Sequence, residues 1–306
     1  MWSSYFDDFF SLTEVATCRH TDLLISSLFG ILGWRLSADK LIAYNTVCRV
    51  LGVKFGLVQS GVGLAAHVLN TEERVSELCE KLDEIVRSGR LKRSEGEKLR
   101  GRILFAAGQL FGRFARHQVR LLSMHIQSGR VNLSEETTEA LQSIRAHLEK
   151  NVPRKIMGSL SDHVHIYVDA SFDEGDYAGV GGALYDSHGR ALFFFSEEVS
   201  PMLIADIRSD GQVTLIQELE MLALLVVPNL WIPPSGGFID SESVRGAFLK
   251  TWSNNSNNNH LLAQLFRVEE KSMCQIWFER VPSQFNPVDV LSREKTDSWM
   301  GLRGNP

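Results

Sequence analysis

The chain has 306 residues, 44% of them hydrophobic and 23% charged, with a formal net charge of −5, a composition that suits a globular protein of about two domains and excludes a collagen-like or disordered chain. Residues 1–160 carry 22 Lys+Arg against 17 Asp+Glu, whereas residues 161–306 carry 10 against 20, so a basic front half is joined to an acidic back half. Cys18, Cys48, Cys79 and Cys274 show no CxxC spacing, which argues against a zinc site and for reduced thiols in an intracellular compartment, cytoplasm or nucleus; no basic segment followed by an apolar core opens the chain, and the apolar runs near 23–34 and 219–227 are too short to span a bilayer, so no membrane partner is expected.

In MWSSYFDDFFSL, aromatic pairs flank Asp7 and Asp8, and the stretch reads as a β-hairpin with its turn at the acids; a plain Asp-Asp turn would account for it. DLLISSLFGILGW, residues 22–34, has a helical apolar stripe and a glycine stop, GWRLSADK follows at 33–40, and VLGVKFGL at 50–57 reads as a strand. In this order and spacing the segment resembles the end of a reverse-transcriptase palm. YFDD is similar to that family's catalytic YxDD turn, Gly33 to Lys40 to the glycine-to-lysine motif after the palm helix, and Leu51-Gly52-Val53 to the strand pair that grips the primer. The resemblance implies metal-binding roles for Asp7 and Asp8 and a nucleic-acid contact for Lys40. The family's fingers and a further metal-binding Asp lie upstream of this turn, yet only four residues precede Tyr5. The resemblance therefore implies the C-terminal part of a longer polyprotein, or a truncated gene, with no polymerase activity of its own.

The resemblance thus implies a palm-like remnant over residues 1–60, and 61–150 are expected as a helical thumb or connection. TEERVSELCEKLDEIVRSG places Val75, Leu78, Leu82 and Ile85 on one face and stops at Gly89. SEGEKLRGRILFAAGQLFGRFARHQVRLLSMHI reads as a helix opened by a capping box, Ser94 to Glu97. Arg113, Arg116 and Arg120 recur at helical spacing, and residues 90–130 hold ten Lys+Arg against two Glu. A phosphate-tracking stripe and a plain solvated face both fit. Ser134, followed by Glu135 and Glu136, starts another helix that Pro153 ends, and residues 151–162 read as a linker.

The last segment, 163–306, opens with HVHIYVDASFDEG, where Val164, Ile166 and Val168 alternate as in a half-buried strand closed by Asp169. GVGGALYDSHGRALFFFSEEV reads as a hairpin turning at Ser187 to Arg190, with His188 a turn residue; Ser200 to Gly211 reads as a long irregular connection. In QVTLIQELEMLALLVV, residues 212–227, Leu215, Ile216, Leu219, Leu222, Ala223 and Val226 form a broad helical stripe with Glu220 beside it and Glu218 solvated. Asp240 ends the short run GGFID and starts the helix SESVRGAFLKTW, NNSNNN at 254–259 reads as a flexible loop, and CQIWFERVP at 274–282 is the final strand. In VPSQFNPVDVLSR, Asn286 and Pro287 suit a helix N-cap and first position, with Asp289 in the first turn. Singly, Asp169 can cap a turn, Asp240 a helix, and Asp289 can answer a helix dipole.

As an ordered set, YVDAS at 167–171, ELEMLALL at 218–225, FIDSESV at 238–244 and NPVDVLSR at 286–293 resemble the ribonuclease H domain that follows reverse transcriptases in retroelements, over roughly residues 161–295. The resemblance implies an α/β fold, a ribonuclease H-like mixed sheet with flanking helices, preceded by the palm remnant and the helical region. It implies Asp169, Glu220, Asp240 and Asp289 as catalytic, metal-binding carboxylates, Mg²⁺ or Mn²⁺ as cofactor, an RNA–DNA hybrid as partner, and endonucleolytic hydrolysis of the RNA strand. Clustered acids repel one another, and divalent cations remove that penalty. The His that many members carry before the last acid is missing from SQFNPVD. An inactive nucleic-acid-binding remnant, and an unrelated two-domain interaction protein whose acids are caps and turns, remain alternatives.

Overall fold

A computed structural model describes residues 2–5, 8–37, 39, 41–60, 63–157, 163–173, 177–208, 214–230, 235–239, 241–273 and 276–293. The expected N-terminal hairpin is present: β1 (Trp2–Tyr5) pairs antiparallel with β2 (Asp8–Ser11), closing at Tyr5 with Asp8. After helix α1 (Cys18–Ile31), β3 (Val47–Val50) and β4 (Val53–Ser60) replace the single strand read at 50–57. The chain reverses between Val50 and Val53 through Leu51 (φ 53°) and Gly52 (φ 70°), the two left-handed positions that a tight two-residue hairpin requires. β5 (Gly63–Asn70) extends this sheet, and β6 (Arg154–Met157) closes it in the order β3-β4-β5-β6. The segment expected as linker therefore contributes a strand.

Four helices fill the interval. α2 (Glu72–Ser88) is capped by the Thr71 side chain, which accepts from the Arg74 N–H, and ends at Gly89 with φ 62°. α3 (Arg93–Ala107) and α4 (Phe114–Ser128) replace the one long helix read from Ser94. The break falls at Gly108–Arg113, where Gly112 has φ 81° and the Phe111 N–H is held by the Val152 carbonyl at 3.0 Å. The Ser94–Glu97 capping box does not form: Lys92 is the N-cap, and Glu97 pairs with Arg93 at 3.1 Å. α5 (Glu135–Lys150) starts at Ser134, which accepts from the Thr137 N–H, and ends at Asn151 in the left-handed region. Leu78, Leu82, Ile103, Leu122, Leu141, Ile144 and Leu148 are almost completely buried between these helices, the apolar stripe being the main source of their stability.

The third unit is the expected mixed sheet with helices on both faces. Its strands are β7 (Val164–Phe172), β8 (Ala178–Tyr185), β9 (Ala191–Glu198), β10 (Ser235–Ile239) and β11 (Ile276–Arg280), in the order β11-β10-β7-β8-β9. β7, β8 and β9 run antiparallel, while β10 lies parallel to both β7 and β11. Val164, Ile166, Val168 and Ala170 face helices α7 (Ile216–Leu230) and α9 (Ser256–Ser272), and the core they form includes Leu215, Leu219, Leu262 and Phe266. α8 (Glu242–Lys250) packs against β10 and β11. The connection read as irregular holds a helix, α6 (Pro201–Ile207), whose N-cap Ser200 accepts from the Leu203 N–H. The asparagine run opens α9 rather than a loop, because Asn255 Oδ1 accepts from the N–H groups of Asn257 and Asn258. Among the described residues no helix is long and apolar enough to cross a membrane.

Candidate active site

Alternation along β7 sends Tyr167, Asp169 and Ser171 to the face opposite α7 and α9. Asp169 lies within the strand, not at its end, and is 5% exposed. Its face is covered by α10 (Asp289–Ser292), which packs over β7, β8 and β9 with Val288 and Leu291 buried against Ala183 and Phe194. Glycines in β8 permit this approach. A Cβ on Gly181 would meet Leu291 Cβ at 2.6 Å and Ser292 N at 2.7 Å, and one on Gly179 would overlap the Ser292 carbonyl.

Hydroxyl groups then fix α10 in place. Ser171 Oγ donates to the Ser292 carbonyl and Ser196 Oγ to the Leu291 carbonyl, each at 2.5 Å, serving backbone acceptors that the end of a helix leaves open. Ser292 Oγ donates to Asp169 Oδ2 at 2.7 Å. Asn286 bridges the same elements, donating to the Val168 carbonyl at 3.1 Å while its Oδ1 accepts from the Val288 N–H at 3.4 Å. The helix starts at Asp289 with Val288 as N-cap, two residues later than the Asn-Pro pair suggests. Beside Asp169, Tyr167 and Tyr185 meet edge to face at 5.4 Å, and burial pushes both phenols up.

The proposed carboxylates are placed as follows. Glu220, 8% exposed, lies on α7, which packs on β7 and β8 from the other side of the sheet. Asp289 is half exposed and sits 3.6 Å from Arg293. Asp240 lies outside the described residues; the last described β7–β10 pair is Tyr167 with Phe238. Carboxylate oxygens are the donor type that Mg²⁺ or Mn²⁺ prefers. Among the described residues, no group of three or more His, Cys, Asp or Glu side chains is placed to hold a metal ion. The chemistry of the donor set suits the cation, then, while the described part of it does not by itself assemble a site. Asp7 and Lys40 lie outside the described residues, and Asp8 is described only as part of β2.

Two sequence expectations are corrected here. Glu218 is not solvated: it is 1% exposed and accepts from Asn255 Nδ2 at 2.6 Å, so it links α7 to the start of α9. Arg113 does not lie free on an exposed stripe. Its guanidinium pairs with Glu269 at 3.1 Å, donates to the Ile276 carbonyl and sits 5.9 Å from the Phe266 ring centroid. Arg116 and Arg120 are exposed on α4.

No protein-family model and no curated protein matches the chain. Solved structures do match. Ribonuclease H1 from the halophilic archaeon Halobacterium salinarum aligns at 18% identity and TM-score 0.36, over 44% of this chain and 98% of that one. LC11 ribonuclease H1 in complex with an RNA/DNA hybrid aligns at 17% and 0.36, over 45% of this chain and 99% of that one. A foamy viral protease-reverse transcriptase in complex with double-stranded DNA aligns at 14% identity and TM-score 0.43; it covers 91% of this chain, which in turn spans 46% of that protein.

Proposed function

We propose that this chain is a ribonuclease H-type nuclease unit derived from a retroelement reverse transcriptase, cutting the RNA strand of RNA–DNA hybrids. The observation that carries the reading is the Asp169–Ser292 contact: a buried strand carboxylate is tied to the short helix that begins with Asp289. β10, the strand that leads to Asp240, runs parallel beside β7. Asp169, Glu220, Asp240 and Asp289 would hold the cations. Divalent cations bound there would supply charge stabilisation at the phosphodiester and a more acidic water. The chain's own part is orientation: Ser292 fixes one oxygen of Asp169, and Asn286 fixes the approach of α10 to β7. Residues 1–60 would then be the end of a palm and 61–150 a thumb or connection, working beside an upstream polymerase part.

A second reading, a nucleic-acid-binding unit without cleavage, draws on the Asp289–Arg293 pair, which competes with a cation for that carboxylate. Incubating the full chain with a labelled hybrid in Mg²⁺, Mn²⁺ or chelator separates the two. The nuclease reading expects metal-dependent cutting of RNA that Asp169→Asn and Glu220→Gln abolish and Glu139→Gln, on exposed α5 surface, leaves intact. Hybrid binding without cutting under any metal would establish the second reading instead.

A further inference from the structure

The helical half and the α/β half meet along α4 and α9, and the meeting is polar as well as apolar. Arg113 reaches across to Glu269. Glu270 lies 3.0 Å from His147 Nδ1 and 3.1 Å from Lys150 Nζ, both on α5. His117, buried on α4, donates from Nδ1 to the Thr251 carbonyl at 2.9 Å; burial holds its pKa down. Thr251 is the left-handed C-cap of α8 and is followed by Trp252. That ring lies 5.5 Å from the His117 ring and 5.8 Å from the Arg120 guanidinium. A tryptophan of the α/β half is thus held against an exposed arginine of the helical half.

Arg154 adds to the charge around Arg113 and Arg116. Its N–H donates to the Gln109 carbonyl at 3.2 Å, and the Phe111 N–H to the Val152 carbonyl at 3.0 Å, so the start of β6 is fixed to the loop that runs into α4. Burial and the like charges of Arg116 and Arg113 lower the Arg154 pKa, while Glu269 is the carboxylate that opposes them. That carboxylate is already engaged by Arg113. Among the described residues, no carboxylate lies within ion-pair distance of Arg116, Arg120 or Arg154. Several guanidiniums sharing one committed carboxylate leave excess positive charge, which a polyanion would neutralise.

We propose that Arg116, Arg120 and Arg154, with Trp252 beside Arg120, form a phosphate track that crosses the junction of the two halves and binds the sugar–phosphate backbone of nucleic acid, Arg113 being a positioning residue that holds the halves together. The proposal rests on the nucleic-acid reading above but does not need cleavage. Its ligand is recognised by charge alone, so hybrid duplex and single-stranded RNA are separate arms of the test.

The full chain and its Arg116→Glu/Arg120→Glu and Arg116→Ala/Arg120→Ala/Arg154→Ala variants are titrated with a fluorescent 20-base-pair hybrid, and with the RNA strand alone, from 50 to 200 mM salt. Each lost phosphate contact lowers the slope of log affinity against log salt by about 0.9 on a duplex and about 0.7 on a single strand. The triple Ala variant is expected to lose roughly 2–3 units of slope on hybrid, and the matching Lys variants to keep it. Because Arg116 and Arg120 are exposed, the double Glu variant keeps the test open if Arg154→Ala unfolds. A parent chain that binds with an unchanged slope in both variants overturns the track alone. A parent chain that binds neither nucleic acid at 50 mM salt overturns the nucleic-acid reading and the track with it. Loss confined to the RNA arm identifies a single strand as the occupant.

Discussion

Ser292 and Asp169, 123 positions apart, are joined by a 2.7 Å hydrogen bond in a buried setting. Hydrogen bonds to charged groups contribute about 1.5–3 kcal/mol, and the contact also orients the carboxylate. Ser292→Ala is therefore expected to lose about that much stability in urea denaturation and to cut hybrid more slowly. Asp169→Asn keeps an acceptor for the hydroxyl and should fold while failing to cut. Full cleavage by Ser292→Ala would separate α10 from the chemistry.

The β8 glycines give a sharper contrast. Gly181→Ala sets a Cβ against Leu291 and the Ser292 backbone, and overpacking of this kind costs about 1–3 kcal/mol. Gly246, inside α8, has nothing within 4 Å of an added Cβ, so Gly246→Ala should stabilise by about 0.5–1 kcal/mol. Thermal melts of the two variants should move in opposite directions; a matched shift would remove the glycine track from the account of the site.

Glu218→Gln reports on packing, not on solvent. The side chain is buried against Asn255, and disturbing a buried hydrogen bond to a charged group costs about 1–3 kcal/mol. The expected result is a lower denaturation midpoint with cleavage per folded molecule near the parent's. An unchanged midpoint would place Glu218 in solvent.

Two adjacent carboxyls on α9 should respond to pH in opposite senses. Burial raises the Glu269 pKa, with Arg113 opposing that shift, whereas hydrogen bonding from His147 and then Lys150 lowers that of Glu270. Where the folded pKa is raised, the unfolded chain loses its proton first, so stability falls as pH climbs from the unfolded value through the folded one. Relative to the parent, Glu269→Gln should therefore gain across that window. The lowered Glu270 contributes stability above its unfolded pKa and loses it as pH falls through the folded value, so Glu270→Gln should flatten the acid limb. Denaturation midpoints from pH 3 to 8 test both, and parallel curves for the two variants would count against the assignment.

Local patterns carried much of the fold. Thr71, Gly89 and Ser134 mark helix ends by their own chemistry, and alternation in β7 separates its buried face from the face of Asp169. What escaped depends on distant partners. Glu218 and Glu220 are two residues apart on one helix, and both are buried, the former against Asn255 at the start of α9. Arg113 fits a solvated stripe until Glu269 arrives from 156 positions away. The break between α3 and α4 had a local signal in Gly108 and Gly112, but the apolar period ran through it. The Gly-Val-Gly-Gly run of β8 was visible, yet its meaning lies in what packs on it.

α10 has four residues and owes its position to hydrogen bonds from Ser171, Ser196 and Asn286 and to the glycines of β8 that let it approach the sheet. Such a segment behaves as a tethered peptide ligand whose receptor is the sheet. Its occupancy is then governed by effective concentration, which the covalent link through β11 raises to about the millimolar range. Severing that link should convert folding of the site into a bimolecular reaction. A synthetic peptide spanning 281–293, added to a chain ending at 280, would restore it with a saturation curve, and the dissociation constant would measure directly how firmly the sheet grips α10.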